Sequence, residues 1–172
     1  PDGRWWLGCQ RALFVSADNG LHWRYVKLKV KHLHYGELRG GLAIAEGRIY
    51  VGTKAGLLSS RLDRPEDVTW VPGYEERSIE ALRADPSGKA LLVGTDDGAL
   101  WLHELDSGKT HCIARLPVHE STVVGSGQHC VLATKEHLFE VEGDRARDIT
   151  PAGATGSLEM LALDDTRFLV WD

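Results

Sequence analysis

Short apolar runs recur along this chain at a nearly constant spacing and alternate with polar, glycine-containing turns. Between the last residues of successive runs the distances are 44, 42, 39 and 38 residues. Short apolar runs bounded by turn formers are typical of β-strands, and no apolar pattern with a 3.6-residue period competes with them. A fixed period of this length indicates a repeat architecture. The runs are Trp5-Trp6-Leu7-Gly8, Ile49-Tyr50-Val51-Gly52, Leu91-Leu92-Val93-Gly94, Cys130-Val131-Leu132-Ala133 and Phe168-Leu169-Val170-Trp171.

Further strands flank each run in the same register. A second apolar pair follows five and six positions later without a gap, as Leu13-Phe14, Leu57-Leu58, Ala99-Leu100 and Leu138-Phe139. Gly56 and Gly98 lie in the intervening turns, where a tight hairpin requires positive φ. A third run precedes each hairpin and a fourth follows it. Four short strands in about 40 residues predict the blades of a β-propeller, whereas a β-sandwich does not predict repetition.

The predicted fold class is therefore all-β: a β-propeller of four-stranded antiparallel blades with about four repeats plus one strand. We expect a single domain, 1–172, with repeats near 1–40, 41–80, 81–120 and 121–160 and a partial repeat at 161–172. Such ends leave open strand edges that favour self-association. Three interpretations follow: a piece of a larger propeller, a four-bladed ring, or an open array completed by a second chain. The first is favoured, since the chain lacks an initial Met and ends within an apolar strand.

Composition narrows the functional classes. The 172 residues carry a net charge of -5, with 42% hydrophobic and 26% charged residues, which is typical of a soluble globular domain. Membrane spans and nucleic-acid binding are not expected, because long apolar stretches and clustered basic residues are missing from the sequence. Lys27, Lys29 and Lys31 alternate with Leu28 and Val30, which predicts a strand with one solvated face. No targeting segment is recognisable, so localisation stays unknown.

Candidate metal and thiol chemistry is sparse. The three cysteines lack metal-type spacing, and Cys9 and Cys130 lie in apolar strand segments, so we expect both to be buried. His32 and His34 would share one face of a strand, but a third ligand at a fixed spacing is missing from the sequence. We therefore predict loop histidines here, no metal site and no cofactor.

One segment carries a recognisable turn motif. Residues 16–23 read S-x-D-x-G-x-x-W, which resembles the Asp-box (BNR) repeat of the sialidase-like propeller superfamily. Ser and Asp side chains can accept hydrogen bonds from turn amides, Gly can adopt a left-handed conformation, and Trp can cover the hairpin end. The resemblance implies a structural role at the blade periphery, away from the ligand site. These residues are Ser16, Asp18, Gly20 and Trp23.

The same resemblance bears on enzymatic activity. A sialidase needs an arginine cluster, an Asp near the glycosidic oxygen and a Tyr activated by Glu. This sequence contains one intact Asp-box and no match to the family's Phe/Tyr-Arg-Ile/Leu-Pro motif. We assign no catalytic residue and favour a non-enzymatic protein, similar to the photosystem II assembly-factor propellers. A sialidase-like hydrolase or lectin, incomplete in this chain, is the alternative.

In a propeller, the connections from the outer strand of one blade to the inner strand of the next lie on one face. Aromatic, arginine and carboxylate side chains on such loops suit a protein-binding surface, although ordinary solvated loops are an equally good interpretation. The expected partner is a protein, with a glycan as the alternative. The candidate binding residues are His32, His34, Tyr35, Glu37, Arg39, Tyr74, Glu75, Glu76, Arg77, His119 and Glu120.

Overall fold

A computed structural model gives the architecture of the chain. The residues that the structure describes contain β-strands and turns but no helix. Accordingly, no helix long and apolar enough to cross a bilayer occurs among them. The described residues are 3–9, 12–30, 38–116, 122–126, 129–134, 136–142, 145–154, 158–162 and 168–171.

Within these residues, seventeen strands form five antiparallel sheets, each built from consecutive strands. Sheet 1 contains β1 (Trp5–Cys9), β2 (Ala12–Ser16) and β3 (Arg24–Val26). Sheet 2 contains β4 (Leu38–Ala45), β5 (Arg48–Thr53), β6 (Gly56–Arg61) and β7 (Arg64–Trp70). Sheet 3 contains β8 (Ile79–Ala84), β9 (Ala90–Thr95), β10 (Ala99–Glu104) and β11 (Thr110–Arg115). Sheet 4 contains β12 (Thr122–Ser126), β13 (His129–Ala133), β14 (Leu138–Glu142) and β15 (Arg145–Asp148), and sheet 5 contains β16 (Glu159–Ala162) and β17 (Phe168–Trp171).

The sheets are stacked through their first strands. β4 contacts β8, β8 contacts β12 and β12 contacts β16, so these four strands form the inner edge of the stack. Consecutive four-stranded antiparallel sheets with adjacent inner strands are the architecture of propeller blades. The predicted all-β fold class is therefore confirmed. Sheet 1 differs from the others because β1 pairs with β2 alone and no described inner strand precedes it.

Alternation along the strands gives sheets 1, 2 and 3 two apolar faces each. We call the face toward the preceding sheet the leading face and the face toward the following sheet the trailing face. Between sheets 1 and 2, three aliphatic side chains from the trailing face of sheet 1 pack on three from the leading face of sheet 2. These are Leu13, Val15 and Val26 on sheet 1, and Ile49, Val51 and Leu58 on sheet 2.

The same packing recurs at the next two junctions. Leu57 and Tyr50 of sheet 2 pack with Leu91 and Val93 of sheet 3, and sheet 3 in turn packs on sheet 4. Burying one such aliphatic side chain contributes about 1.5–3 kcal/mol relative to leaving it exposed. Packing of each blade on the next therefore supplies the core. The side chains at the third junction are Leu92, Leu100, Leu102, Cys130 and Leu132.

The hairpin register corrects one sequence prediction. Gly8 pairs with Leu13, Gly52 with Leu57 and Ala133 with Leu138, but Gly94 pairs with Leu100 and not with Ala99. The gapless alignment is thus wrong in the third repeat, whose turn is one residue longer. The carboxylate of Asp97 causes the difference, because it accepts hydrogen bonds from the Thr95 hydroxyl at 2.5 Å and from the Ala99 amide at 3.3 Å.

A buried threonine closes three of these hairpins. The hydroxyl groups of Thr53 and Thr134 donate to the carbonyls of Gly56 and His137 at 2.8 and 3.2 Å, whereas the Thr95 hydroxyl, whose proton goes to Asp97, lies 3.1 Å from the Ala99 carbonyl oxygen. Each threonine is at most 3% exposed. Gly56 and Gly98 have φ values of 141° and 78°, so both turns have the predicted positive φ.

Two other sequence predictions are wrong. The strand predicted at residues 27–31 is not formed over its described part, because β3 ends at Val26 and residues 27–30 are not in a strand. The Lys29 amide donates to the Glu66 carbonyl at 2.9 Å and is not part of a strand ladder. Lys31 lies outside the described residues. Cys130 is buried as expected, and burial raises the pKa of its thiol to about 12. Cys9 is exposed, because no described residue covers the leading face of sheet 1.

Candidate functional site

The connection from β7 to β8, residues 71–78, lies across the hairpin turns of sheets 2 and 3. The Glu76 amide donates to the Ala55 carbonyl at 3.1 Å, and the Asp96 amide donates to the Ser78 carbonyl at 2.9 Å. A Cβ atom added to Gly56 would lie 2.7 Å from the Tyr74 carbonyl oxygen. The connection is therefore held tightly against both turns. We call this end of the stack the loop face.

Arg77 is the best-anchored charged residue that the structure describes on the loop face. Its Nη1 donates to Asp97 Oδ2 at 3.0 Å, and its guanidinium lies 5.3 Å from the centroid of the Trp101 ring. Trp101 Nε1 donates to the Thr95 hydroxyl oxygen at 3.0 Å. Thr95, the Ala99 amide and the Arg77 charge hold the pKa of Asp97 below its usual value, with the Thr95 hydrogen bond as the largest cause. The site therefore presents a fixed cation, the Arg77 guanidinium, beside an aromatic ring. The Arg77 side chain is 38% exposed.

Glu75 and Glu76 are exposed on the same connection. Glu75 Oε2 accepts a hydrogen bond from the Gly73 amide at 2.8 Å, which turns this carboxylate back onto its own loop. Glu76 adopts a left-handed backbone with φ of 62°. Two carboxylates and one arginine are thus displayed within three consecutive residues.

Tyr74 is a core residue, which corrects its prediction as an exposed binding residue. It is 1% exposed and packs between sheets 2 and 3, where its ring meets His103 edge-on with centroids 5.7 Å apart. Burial raises the pKa of the Tyr74 hydroxyl above its usual value. The connection turns this ring inward because the gap between the two sheets is apolar, lined by Leu57, Leu91 and Val93.

The remaining candidate binding residues belong to other connections. The structure describes only the backbone of Arg39, which lies in β4.

Asp97 and Trp101 contact Arg77 but were not predicted from the sequence, because they come from the hairpin of sheet 3 and not from a connection. His32, His34, Tyr35, Glu37, His119 and Glu120 lie outside the described residues.

The turn between β2 and β3 carries the predicted structural motif. The Ser16 hydroxyl donates to Asp18 Oδ1 at 2.7 Å and accepts from the Gly20 amide at 2.9 Å. Asp18 Oδ1 also accepts from the His22 amide at 2.9 Å, which is the largest cause of the lowered pKa of Asp18. Gly20 has φ of 86°, and its carbonyl accepts from Trp23 Nε1 at 3.0 Å. These polar groups are used to close a turn.

This turn lies at the opposite end of the stack from the loop face, because β2 begins at the loop-face hairpin and runs away from it. A pocket of about 440 Å³ lies beside the turn. Its lining includes two guanidinium groups, a carboxylate, an imidazole and an indole, from Arg4, Arg24, Asp18, His22 and Trp23. Arg4 also donates to the Leu62 carbonyl at 3.1 Å. Neither here nor elsewhere in the described part of the chain is a group of three or more His, Cys, Asp or Glu residues placed to hold a metal ion.

Comparison with solved structures shows the fold. The extracellular domain of BT4673 from B. thetaiotaomicron matches with a TM-score of 0.71 at 16% identity, over 99% of this chain and 25% of that one. YCF48 bound to a D1 peptide matches with a TM-score of 0.61 at 12% identity, over 99% and 58%. An ancestral GH74 enzyme matches with a TM-score of 0.62 at 15% identity, over 84% and 22%.

These likenesses identify the class of protein as β-propeller-like. The match covers 25% of the length of the BT4673 domain, 22% of the GH74 enzyme and 58% of YCF48, so this chain corresponds to only part of each of these proteins. No protein-family model and no curated protein sequence matches this chain. Identities of 12–16% establish the architecture only, and the neighbours include both an enzyme and a peptide-bound protein.

Proposed function

We propose that this chain is a non-enzymatic propeller scaffold, part of a larger propeller, that binds a protein partner through its loop face. The observation that carries the proposal is the anchoring of Arg77 by Asp97 and Trp101. Arginine and aromatic residues on rigid supports are enriched among the residues that dominate binding energy at protein interfaces. Since the Arg77 side chain is already held in place, a partner would bind it with little further loss of conformational entropy.

Structural neighbours support a protein partner without identifying it. YCF48 was solved with a D1 peptide, and another neighbour, at a TM-score of 0.66 and 9% identity, comes from a nidogen/laminin complex. The resemblance of residues 16–23 to an Asp-box supports the same superfamily and a structural role for that turn. Ser16, Asp18, Gly20 and Trp23 then maintain the blade, and binding falls to the opposite end.

The test is affinity capture with a matched pair of arginine variants. Arg77→Ala removes the loop-face cation, while Arg61→Ala removes an arginine that pairs with Asp63 at the opposite end, through bonds of 2.9 and 2.8 Å. Partially exposed ion pairs contribute about 0–1 kcal/mol, so both variants should melt close to the wild type. We expect the wild type and Arg61→Ala to capture at least ten times as much of the partner protein as Arg77→Ala captures, as measured by quantitative mass spectrometry.

Equal recovery of every protein by the two variants would contradict the proposal, provided that circular dichroism shows both to be folded. A second pair sharpens the result. Glu76→Gln removes an exposed loop-face carboxylate, whereas Glu66→Gln removes an acidic group on β7. Loss of capture by the first variant alone would locate the partner on residues 75–77.

A carbohydrate-binding propeller is the second candidate function. The pocket that contains Trp23, Arg24 and Asp18 favours it, because an aromatic ring beside charged hydrogen-bonding groups suits a sugar. A glycan array and a fluorogenic sialoside assay test this candidate on the wild type and on Arg24→Ala. Glycan binding that Arg24→Ala abolishes would support a lectin, and the absence of any signal would remove the candidate.

A further inference from the structure

The leading face of sheet 1 is apolar, and no residue that the structure describes covers it. Trp5 and Leu7 on β1 are 54% and 51% exposed, and Tyr25 on β3 is 53% exposed. Phe14 joins Leu7 to Tyr25 across the sheet, with the Phe14 and Tyr25 rings 5.7 Å apart. Trp5 and Trp23 both lie near Gly20, so the apolar surface continues to the end of the sheet. Exposed apolar side chains that form one contiguous patch mark an interaction surface.

Corresponding positions in sheets 2, 3 and 4 are buried by the sheet that precedes each of them. Trp5 corresponds to Ile49, Leu91 and Cys130, and these three side chains are at most 1% exposed. Leu7 corresponds to Val51, Val93 and Leu132, which are at most 2% exposed. At each of these junctions the occupant is a β-sheet that presents an aliphatic trailing face. Sheet 1 therefore repeats the receiving half of an interface that this molecule builds three times.

Sheet 1 also has an open backbone edge. β5, β9 and β13 each pair with an inner strand on one side, namely β4, β8 and β12, while β2 is the only described strand that pairs with β1. Unpaired N–H and C=O groups along β1 can accept an antiparallel strand. The strand edge and the apolar face adjoin, so one occupant can satisfy both.

A second copy of this chain is poorly suited as that occupant in a head-to-tail arrangement. Sheet 4, near the other end of the stack, carries a polar network on its trailing face in which Glu140 contacts Arg147 and His129. Glu140 occupies the same position on the trailing face of its sheet as Val15 in sheet 1 and Leu102 in sheet 3. Val15 and Leu102 are both buried. Docking this polar surface on Trp5 and Leu7 would bury charges against an apolar face.

We propose that the leading face of sheet 1 and the free edge of β1 bind a further propeller blade, in addition to the five sheets that the structure describes. That blade presents an aliphatic trailing face like that of Leu92, Leu100 and Leu102, followed by an inner strand antiparallel to β1. This proposal rests on the larger propeller of the proposed function, whereas the loop face is a separate surface, so a failure of blade docking and a failure of partner capture are distinguishable.

The test adds such a blade to the intact chain. Residues 79–126 contain sheet 3, its connection and the inner strand β12, and fusing Ser126 to Asp2 keeps the register in which Cys130 corresponds to Trp5. Hydroxyl-radical footprinting with mass spectrometry then measures labelling at single residues. We expect the added blade to reduce labelling of Trp5 and Leu7 at least fivefold and to leave Leu21, which is 78% exposed in the turn, unchanged.

A matched control carries Leu92→Asp and Leu102→Asp in the added copy only, which places charges on its trailing face. We expect this control to leave Trp5 and Leu7 labelled. Unchanged labelling with the unmodified added blade would overturn the proposal. So would a dimer of the 172-residue chain, detected by light scattering, in which Trp5 is protected, because the occupant would then be a second copy.

One variant does not depend on the fusion. Leu7→Asp in the 172-residue chain should shift the melting temperature by less than about 2 °C, since solvated surface positions tolerate substitution. The same change within the fused protein should lower the melting temperature by about 5 °C or more, because the aspartate would be buried. Unfolding of the 172-residue chain by Leu7→Asp would also overturn the proposal.

Discussion

Leu7 in sheet 1 and Leu132 in sheet 4 are the same residue at the same repeat position, yet they differ completely in environment. Leu7 is 51% exposed and Leu132 is 0% exposed. Both strands have an apolar leading face, and both side chains lie opposite a phenylalanine on the neighbouring strand. The difference comes from sheet 3, which covers Leu132. The repeat sequence therefore determines which face is apolar, while the adjacent blade determines whether it is buried.

Truncating these two leucines gives the largest expected contrast. Leu132→Ala should lower the free energy of unfolding by about 2–5 kcal/mol, because it removes buried methyl groups and leaves a cavity. Leu7→Ala should cost less than about 1 kcal/mol, because half of its side chain already contacts solvent. Urea denaturation measures both values. Equal losses would mean that sheet 1 is covered in solution.

The anchor glycines sharpen the comparison at a second repeat position. A Cβ atom on Gly94 would lie 3.1 Å from the Cβ of Ala81, which is 3% exposed and cannot move aside. We expect Gly94→Ala to cost about 1–3 kcal/mol by overpacking. A Cβ atom on Gly8 would meet Leu42 at 3.9 Å, so Gly8→Ala should be neutral or stabilise the strand by up to about 1 kcal/mol. A larger loss for Gly8→Ala, measured by the same denaturation, would contradict this packing.

The pH dependence of the free energy of unfolding gives the smallest expected effect, and it concerns only the buried contact between sheets 2 and 3. His103 lies 6% exposed between sheets 2 and 3, and burial lowers its pKa below the usual value of 6.5. The unfolded chain therefore binds the proton more readily, and stability should fall as the pH drops below about 6.5. His103→Gln should remove this component, while His22→Gln in the exposed turn of sheet 1 serves as the control. An unchanged pH profile for His103→Gln would contradict the assignment.

The fold could be predicted from the sequence further than the site could. Repeat spacing predicted the strands, because apolar runs and turn glycines act locally. The extra residue in the third hairpin escaped prediction, since Ala99-Leu100 also fits the gapless pattern and only the Asp97 hydrogen bonds lengthen the turn. Tyr74 and Cys9 were misassigned for a related reason: their burial depends on the neighbouring sheets, which a local pattern does not describe.

The binding site combines both situations. Arg77 was predicted from its place on a connection, a property of chain order. Its partners Asp97 and Trp101 come from the hairpin of sheet 3, 20 and 24 residues later, and the pairing of β8 with β9, with Ile79 opposite Thr95, brings them to the guanidinium. An apolar pattern read along single strands does not show which polar residue of a neighbouring hairpin will lie opposite a connection.

The threonines that close the hairpins bear on how such a molecule could arise. Thr53 bonds to Gly56, Thr95 to Asp97 and Thr134 to His137, so each turn is completed by groups at most four residues apart. A duplicated segment of about 40 residues would carry its own finished turn into the new copy. Gene duplication could thus lengthen the array without redesigning any hairpin, and only the faces between neighbouring copies would need to adapt.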